Sequence, residues 1–277
     1  MPRFAANLSM TFTEMDFLDR FAAAAEQGFE AIEYLFPYAY PKAELAARLE
    51  SEGLRQVLFN APPGDWEKGE RGIAALPGRQ AEFAKAFETA LDYAGALGCP
   101  RIHVMAGLVP TGSQAGAYRE TFLRNLAWAA PLAARAGVEL LLEPLNATDF
   151  PGYLVGSVAA ALDAIAAVRS DNIFLQYDLY HAQMSQGRLG QVFLEHFDLI
   201  RHVQIAGVPG RHEPNGAQEI NYPFLFALMD SLGYKGWVGC EYRPAGRTVD
   251  GLGWAAPWGI GPKARSASMK GAKGTAP

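Results

Sequence analysis

Short apolar runs alternate with longer amphipathic stretches from one end of the chain to the other. The runs at 3–8, 31–35, 55–60, 101–105, 139–144, 173–178, 200–205 and 237–241 have the length and apolar character of strands. Between them, the stretches at 14–27, 41–52, 80–97, 115–136, 157–168 and 222–232 repeat their apolar positions at helical spacing. Several of these end on a glycine, at Gly28, Gly53, Gly98, Gly137 and Gly233, a residue that accepts the left-handed conformation of a helix C-terminus. Each glycine precedes the next strand by a few residues. Strand, helix and glycine repeated eightfold predicts a parallel α/β fold, a (β/α)8 TIM barrel. A doubly wound sheet would stop earlier and open on a glycine-rich turn.

Two segments break the rhythm. Residues 61–78 form an insert after the third predicted strand, too long and too polar for a connector, with Trp66 in its midst. Active sites of such barrels lie beyond the strand C-termini, so this insert is expected either to pack on the catalytic face or to cover the site as a lid. The second is the tail at 261–277, which carries Lys263, Arg265, Lys270 and Lys273, no acids and almost no large apolar residues. Such a composition predicts disorder, leaving 1–260 as a single catalytic domain.

Composition narrows the function. With 277 residues and 50% apolar content the chain can close one large core, and two small domains are not favoured. The balance of 24 basic to 29 acidic residues, a net charge of −5, argues against a nucleic-acid partner. No run approaches the 18 or so apolar residues of a bilayer span, and Met1-Pro2-Arg3 leads directly into a strand, so a soluble cytoplasmic protein is expected, with no membrane partner. Cys99 and Cys240 lack zinc-site spacing and read as core thiols. Self-association is left open by these features.

The candidate chemistry lies at the ends of the last four strands. Glu143 in LLLEPLN, Asp178 in LQYDLYH, Gln204 in HVQIAG and Glu241 in VGCEYRP are separated by 35, 26 and 37 residues, about one strand–helix unit each, so they can converge above the barrel. Clustered carboxylates resist ionising unless a cation compensates them, and an all-oxygen donor set favours Mg2+ or Mn2+ over zinc. Alternation along the strands also turns Gln176, His202 and Gln204 into the barrel, where the buried polar groups need partners that a metal site is expected to supply. His181, three residues after Asp178, is expected to donate to a ligand, the other reading being a cap on the next helix. Arg211 is suited to hold a substrate carboxylate, or else forms a surface salt bridge to Glu213 or Glu219. Asn7, Glu33, Asn60 and His103, also at strand ends, are expected to support the site by hydrogen bonding.

Seven motifs carry a resemblance: ANLSM at 6–10, LFPYAYP at 35–41, GDWEKGERGIAALPGR at 64–79, YDLYHAQ at 177–183, GRHEPN at 210–215, EINYPFLF at 219–226 and GWVGCEYRP at 236–244. Their order and spacing resemble the hydroxypyruvate isomerase family of xylose isomerase-like barrels, over about residues 3–258. The resemblance implies that Glu143 and Glu241 are the catalytic acid/base pair and that they surround a divalent metal together with Asp178 and Gln204. It further implies a small 2-oxo/3-hydroxy acid substrate, with hydroxypyruvate converted to tartronate semialdehyde through an enediol. From their positions, His181, Arg211 and the Trp66 insert are expected to contact that substrate. A sister group, the 2-oxo-tetronate isomerases, shares most of the motifs. EPLNATDFPGYLVGS and the insert resemble the hydroxypyruvate branch, whereas Gly207-Val208 resembles the sister group. A ketose 3-epimerase is disfavoured by Gln204 standing where those enzymes have His. A zinc endonuclease is disfavoured by the five histidines and the acidic charge. A non-catalytic sugar-acid binder is disfavoured by the intact glutamate pair.

Overall fold

The computed structural model describes residues 1–261, in which eight parallel strands close into one barrel in sequence order. Strand β1 is Arg3–Asn7, β2 Ala31–Glu33, β3 Arg55–Asn60 and β4 Arg101–His103. The circuit continues with β5 Glu139–Leu142, β6 Ile173–Asp178, β7 Ile200–Gln204 and β8 Trp237–Cys240, which pairs back onto β1. Helices α1 (Arg20–Glu26), α2 (Lys42–Glu52), α3 (Gln80–Leu97), α4 (Ala115–Arg135) and α5 (Val158–Val168) follow the first five strands. The return from β6 to β7 uses two short helices, α6 (Leu179–Ser185) and α7 (Leu189–Glu195). Helix α8 (Tyr222–Ser231) precedes β8, and α9 (Thr248–Gly251) follows it. Apart from Gly261, the predicted tail lies outside the described residues.

The predicted barrel is borne out, and its punctuation is too. All five predicted glycines have φ between +60° and +91°. Ser157 caps α5 by accepting from the Ala160 N–H at 3.2 Å, and Asn221 caps α8 through the Phe224 N–H at 3.1 Å. The first helix is shorter than the periodicity implied, because a 3-10 turn occupies Phe17–Asp19 and the α-helix starts only at Arg20. All the strands but β3 and β6 end one or two residues before their predicted ends. Glu143 and Glu241 therefore stand just past the last paired residues, Leu142 and Cys240.

The barrel interior has two zones. Ala5, Ala31, Val57 and Trp237 form a small apolar cluster of their own, separate from the large core that joins the strands to the helices. Further along the same strand faces the interior becomes polar around Glu33. This buried carboxylate accepts from Asn7 Nδ2 at 2.9 Å and Gln204 Nε2 at 2.8 Å, and pairs with His202 Nε2 at 2.5 Å. Gly239 on β8 makes room for it, since a Cβ there would sit 2.3 Å from both Glu33 oxygens. The expectation that a metal partners these groups is therefore corrected for His202 Nε2 and the Gln204 NH2. Glu33 partners His202 and Gln204, and Gln176 donates in turn to Gln204 at 2.6 Å.

Candidate active site

Glu143 and Glu241 open onto a cavity of about 470 Å3 at the C-terminal mouth of the barrel, which His181, Arg211 and Trp66 also line. Asp178 lies directly beneath, with no exposed side-chain surface, and Gln204 is level with it in the β6–β7 register. The site residues expected from the sequence thus gather at one place. They are not equivalent in what they do there.

Arg211 supplies the local positive charge. Its Nη2 lies 3.0 Å from Glu241 Oε1 and 3.5 Å from Asp178 Oδ2, its Nε donates to the Glu241 carbonyl at 3.4 Å, and its guanidinium stacks 4.9 Å from the Tyr180 ring. The expected surface salt bridge to Glu213 or Glu219 is absent among the described residues. Burial opposes the charge on Arg211, but Glu241, Asp178 and Glu143 outweigh it and hold the guanidinium protonated. Burial raises the Glu143 carboxyl well above the usual carboxylate range, with Glu241 and Asp178 adding to the effect. Burial likewise pushes Glu241 up to about 8, against the pull of Arg211, and raises Asp178. Three carboxyls forced together and short of positive charge are the chemistry that a divalent cation relieves.

Two further observations fit a cation. Glu143 Oε1 and Glu241 Oε2 are buried without a hydrogen-bond partner among the described residues, and carboxylate oxygens of Glu143 and Asp178 lie within 4.8 Å of each other. Gln204 turns its NH2 to Glu33, so its carbonyl oxygen, already accepting from Gln176, has one lone pair left to offer.

His181 is set apart from the ligands by its partners. Its Nδ1 faces the backbone N–H of Asn146 at 3.2 Å and the Asn146 side-chain NH2 at 2.7 Å. A backbone N–H can only donate, so Nδ1 must accept, and the neutral ring carries its proton on Nε2. Burial, with help from Arg211, keeps the imidazole neutral by lowering its pKa well below 6.5. That Nε2–H lies 3.8 Å from Asp178 Oδ2, on a side chain that lines the cavity. It cannot ligate a metal through that nitrogen without setting an Nδ1–H against the Asn146 N–H. The helix-cap alternative falls to Asp178, whose Oδ1 accepts from the Tyr180 N–H at 2.7 Å and begins α6.

The insert is a packed wall. Ile73, Ala74 and Ala75 are buried, the Ala75 N–H donates to the Ala106 carbonyl at 2.7 Å, and Asn125 Nδ2 donates to the Ala74 carbonyl at 2.7 Å. Gly72 is required where the insert meets the strand end, because a Cβ there would stand 2.3 Å from the Met105 carbonyl oxygen. Trp66 is held between Phe36, with ring centroids 5.1 Å apart, and the Arg71 guanidinium at 3.9 Å. Among the strand-end supports, Glu33 and Asn7 form the polar interior and Asn60 lines the cavity. His103 Nδ1 lies 3.3 Å from Glu143 Oε2, with burial lowering its pKa to about 3. Sequence reasoning missed Asn146 and Arg243, although both lie inside segments it singled out, three residues after Glu143 and two after Glu241.

The model of the xylose isomerase-like TIM barrel family matches residues 21–258. A relative from Cupriavidus necator named 2-oxo-tetronate isomerase is 53% identical over 93% of this chain and 99% of its own. The Escherichia coli protein named hydroxypyruvate isomerase is 44% identical over 93% of this chain and all of its own. A crystal structure from Brucella melitensis, described as AP endonuclease, family 2, superposes with a TM-score of 0.91 at 48% identity, over 93% of this chain and 99% of that one.

Proposed function

The chain belongs to the xylose isomerase-like TIM barrel family, and from that membership we propose that it isomerises a short 2-oxo-3-hydroxy acid through an enediol. The observation that carries this reading is the pair of buried glutamates facing one small cavity, beside a neutral histidine that presents an N–H. In the forward direction one glutamate removes the C3 proton, and the C–H electrons form the C2–C3 double bond of the enediol. The other glutamate delivers a proton to C2, while the C3 hydroxyl proton moves to the C2 oxygen, so nothing is oxidised or reduced overall. The His181 Nε2–H donates to the oxygen on which charge develops, and Arg211 keeps Glu241 and Asp178 in place. Glu143, Asp178 and Glu241, with the Gln204 carbonyl, would hold Mg2+ or Mn2+, which when bound supplies Lewis-acid stabilisation of that charge.

Among substrates of this class we favour a four-carbon 2-oxo-tetronate, because the relative bearing that name is 53% identical to this chain and the one named for hydroxypyruvate 44%, over the same 93% of it. Hydroxypyruvate is the second reading, supported by the E. coli relative. Nucleic acid is disfavoured by the net charge of −5 and by a cavity of about 470 Å3, the size of a small-molecule site. One carbon is worth about 10- to 200-fold in kcat/KM, so competition kinetics between hydroxypyruvate and both 2-oxo-tetronate enantiomers should show activity on both acids and preference for one tetronate. A tenfold preference for hydroxypyruvate reverses the ranking, and turnover of neither acid ends the isomerase reading.

His181→Ala is expected to lower kcat by about 10²-fold, the effect of losing one donor to a developing oxyanion. Its affinity for Mn2+, measured by calorimetry, should stay within a few-fold of the parent. A large fall in metal affinity would instead make His181 a ligand.

A further inference from the structure

A substrate of this class carries a carboxylate, and the cavity walls include two glutamates that repel it. Only two cationic side chains among the described residues line that cavity, Arg211 and Arg243. The first was expected to clamp the substrate carboxylate, yet its Nη2 and Nε already serve Glu241 and Asp178. Nη1 alone remains, and the two diverging N–H bonds of a single NH2 group cannot make the parallel two-point pair through which a guanidinium holds a planar anion.

Arg243 differs in each respect. It follows Glu241 by two residues at the end of β8, and its side chain stands exposed at the rim of the cavity. Among the described residues no carboxylate lies within ion-pair distance of it, and its guanidinium makes no hydrogen bond. Its backbone is nonetheless tied down: the N–H donates to the Arg211 carbonyl at 2.8 Å, and the carbonyl accepts from His212 Nδ1 at 2.8 Å. Pro244 further restricts the backbone before it to extended conformations. With its backbone fixed and its guanidinium uncommitted, Arg243 can take an anion without breaking a pair inside the protein, at the cost of ordering one side chain.

We propose that Arg243 is the residue that receives the substrate carboxylate, holding it at the rim while C2 and C3 reach between Glu143 and Glu241. The placement leaves the carboxylate partly in water, so its desolvation cost is small, and sets a cation beside it to offset the charge of the glutamates. It also separates two tasks: Arg211 serves the protein's own carboxylates, and Arg243 selects acids over neutral ketoses. This assignment rests on the 2-oxo acid reading of the function.

The test compares the Mn2+-loaded parent with Arg243→Ala and Arg243→Lys. For the 2-oxo acid that the parent turns over, R243A should raise KM about 10- to 100-fold, the loss of a charge-assisted hydrogen-bonded pair, with kcat changed less than about threefold. R243K should recover part of that loss, and thermal unfolding of both variants should match the parent. Calorimetric titration with tartronate, a small dianion that cannot isomerise, should show the same weakening in R243A. A KM and a tartronate Kd within twofold of the parent in R243A overturn the assignment. If the parent turns over no 2-oxo acid, the functional reading fails, while the tartronate titration still decides whether Arg243 binds carboxylates. An equal tartronate Kd, or no tartronate binding by the parent, then counts against it.

Discussion

Glu143→Gln and Glu241→Gln are each expected to lower turnover by about 10²- to 10⁴-fold, the range for losing a positioned general acid or base. Glutamine keeps the shape and much of the hydrogen bonding but cannot take or give the proton. The two variants should differ in stability. Glu143 is crowded by Glu241 and Asp178 and has no cationic side chain of its own, so E143Q relieves repulsion and is expected to hold or raise the thermal midpoint of the metal-free protein. Glu241 accepts from Arg211 at 3.0 Å, and E241Q leaves that buried guanidinium with Asp178 alone, so its midpoint should fall. Exchange of the substrate C3 proton in deuterium oxide, followed by NMR, separates the two catalytic steps. A variant that still exchanges but forms no product has lost the acid, whereas one that does neither has lost the base. Because both residues are proposed ligands, Mn2+ content is measured alongside, and near-parental turnover in either variant would falsify its place in the pair.

How far the site was legible in the sequence follows from which residues depend on local pattern and which on shape. Glu143, Asp178, Gln204 and Glu241 could be found because a barrel puts strand ends together, so spacing along the chain stands in for distance in space. Their partners could not be found that way. Glu33 reaches His202 and Gln204 across the barrel, a contact set by the width of the interior and by the missing side chain at Gly239. A metal is a reasonable partner for buried polar groups at strand ends, but His202 Nε2 and the Gln204 NH2 are held by this carboxylate instead. The role of His181 became clear only from the orientation of one backbone N–H, at Asn146. Arg211 drew attention as a cation next to the cluster, but its partner could not be chosen without coordinates. The structure gave it the protein's carboxylates and left the less conspicuous Arg243 uncommitted. The short strands follow the same logic, since residues that leave the ladder to form a site look like strand by composition.

Removal of divalent metal by EDTA is expected to abolish activity, and readdition of Mn2+ or Mg2+ to restore it, but the more telling result is how stability then depends on pH. In the metal-free protein the buried carboxyls of Glu143, Asp178 and Glu241 have pKa values above those of the unfolded chain, reaching about 8 for Glu241. Groups shifted upward contribute stability that is fully present below about pH 4 and is lost as pH rises through the folded-state values. His103 and His181 act in the opposite sense. Their depressed values, about 3 for His103, contribute stability above about pH 6.5 that is lost as pH falls. The metal-free protein should therefore be most stable in mildly acid solution and become less so toward pH 9. A divalent cation substitutes for the protons that the carboxyls give up, so Mn2+ at about 100 times its dissociation constant should raise the thermal midpoint by about 5–10 °C at pH 8. At pH 6 the same cation must displace bound protons, and the shift should be clearly smaller. Full activity after exhaustive removal of metal, or a midpoint indifferent to Mn2+ at both pH values, would leave Arg211 as the only charge compensating the three carboxyls.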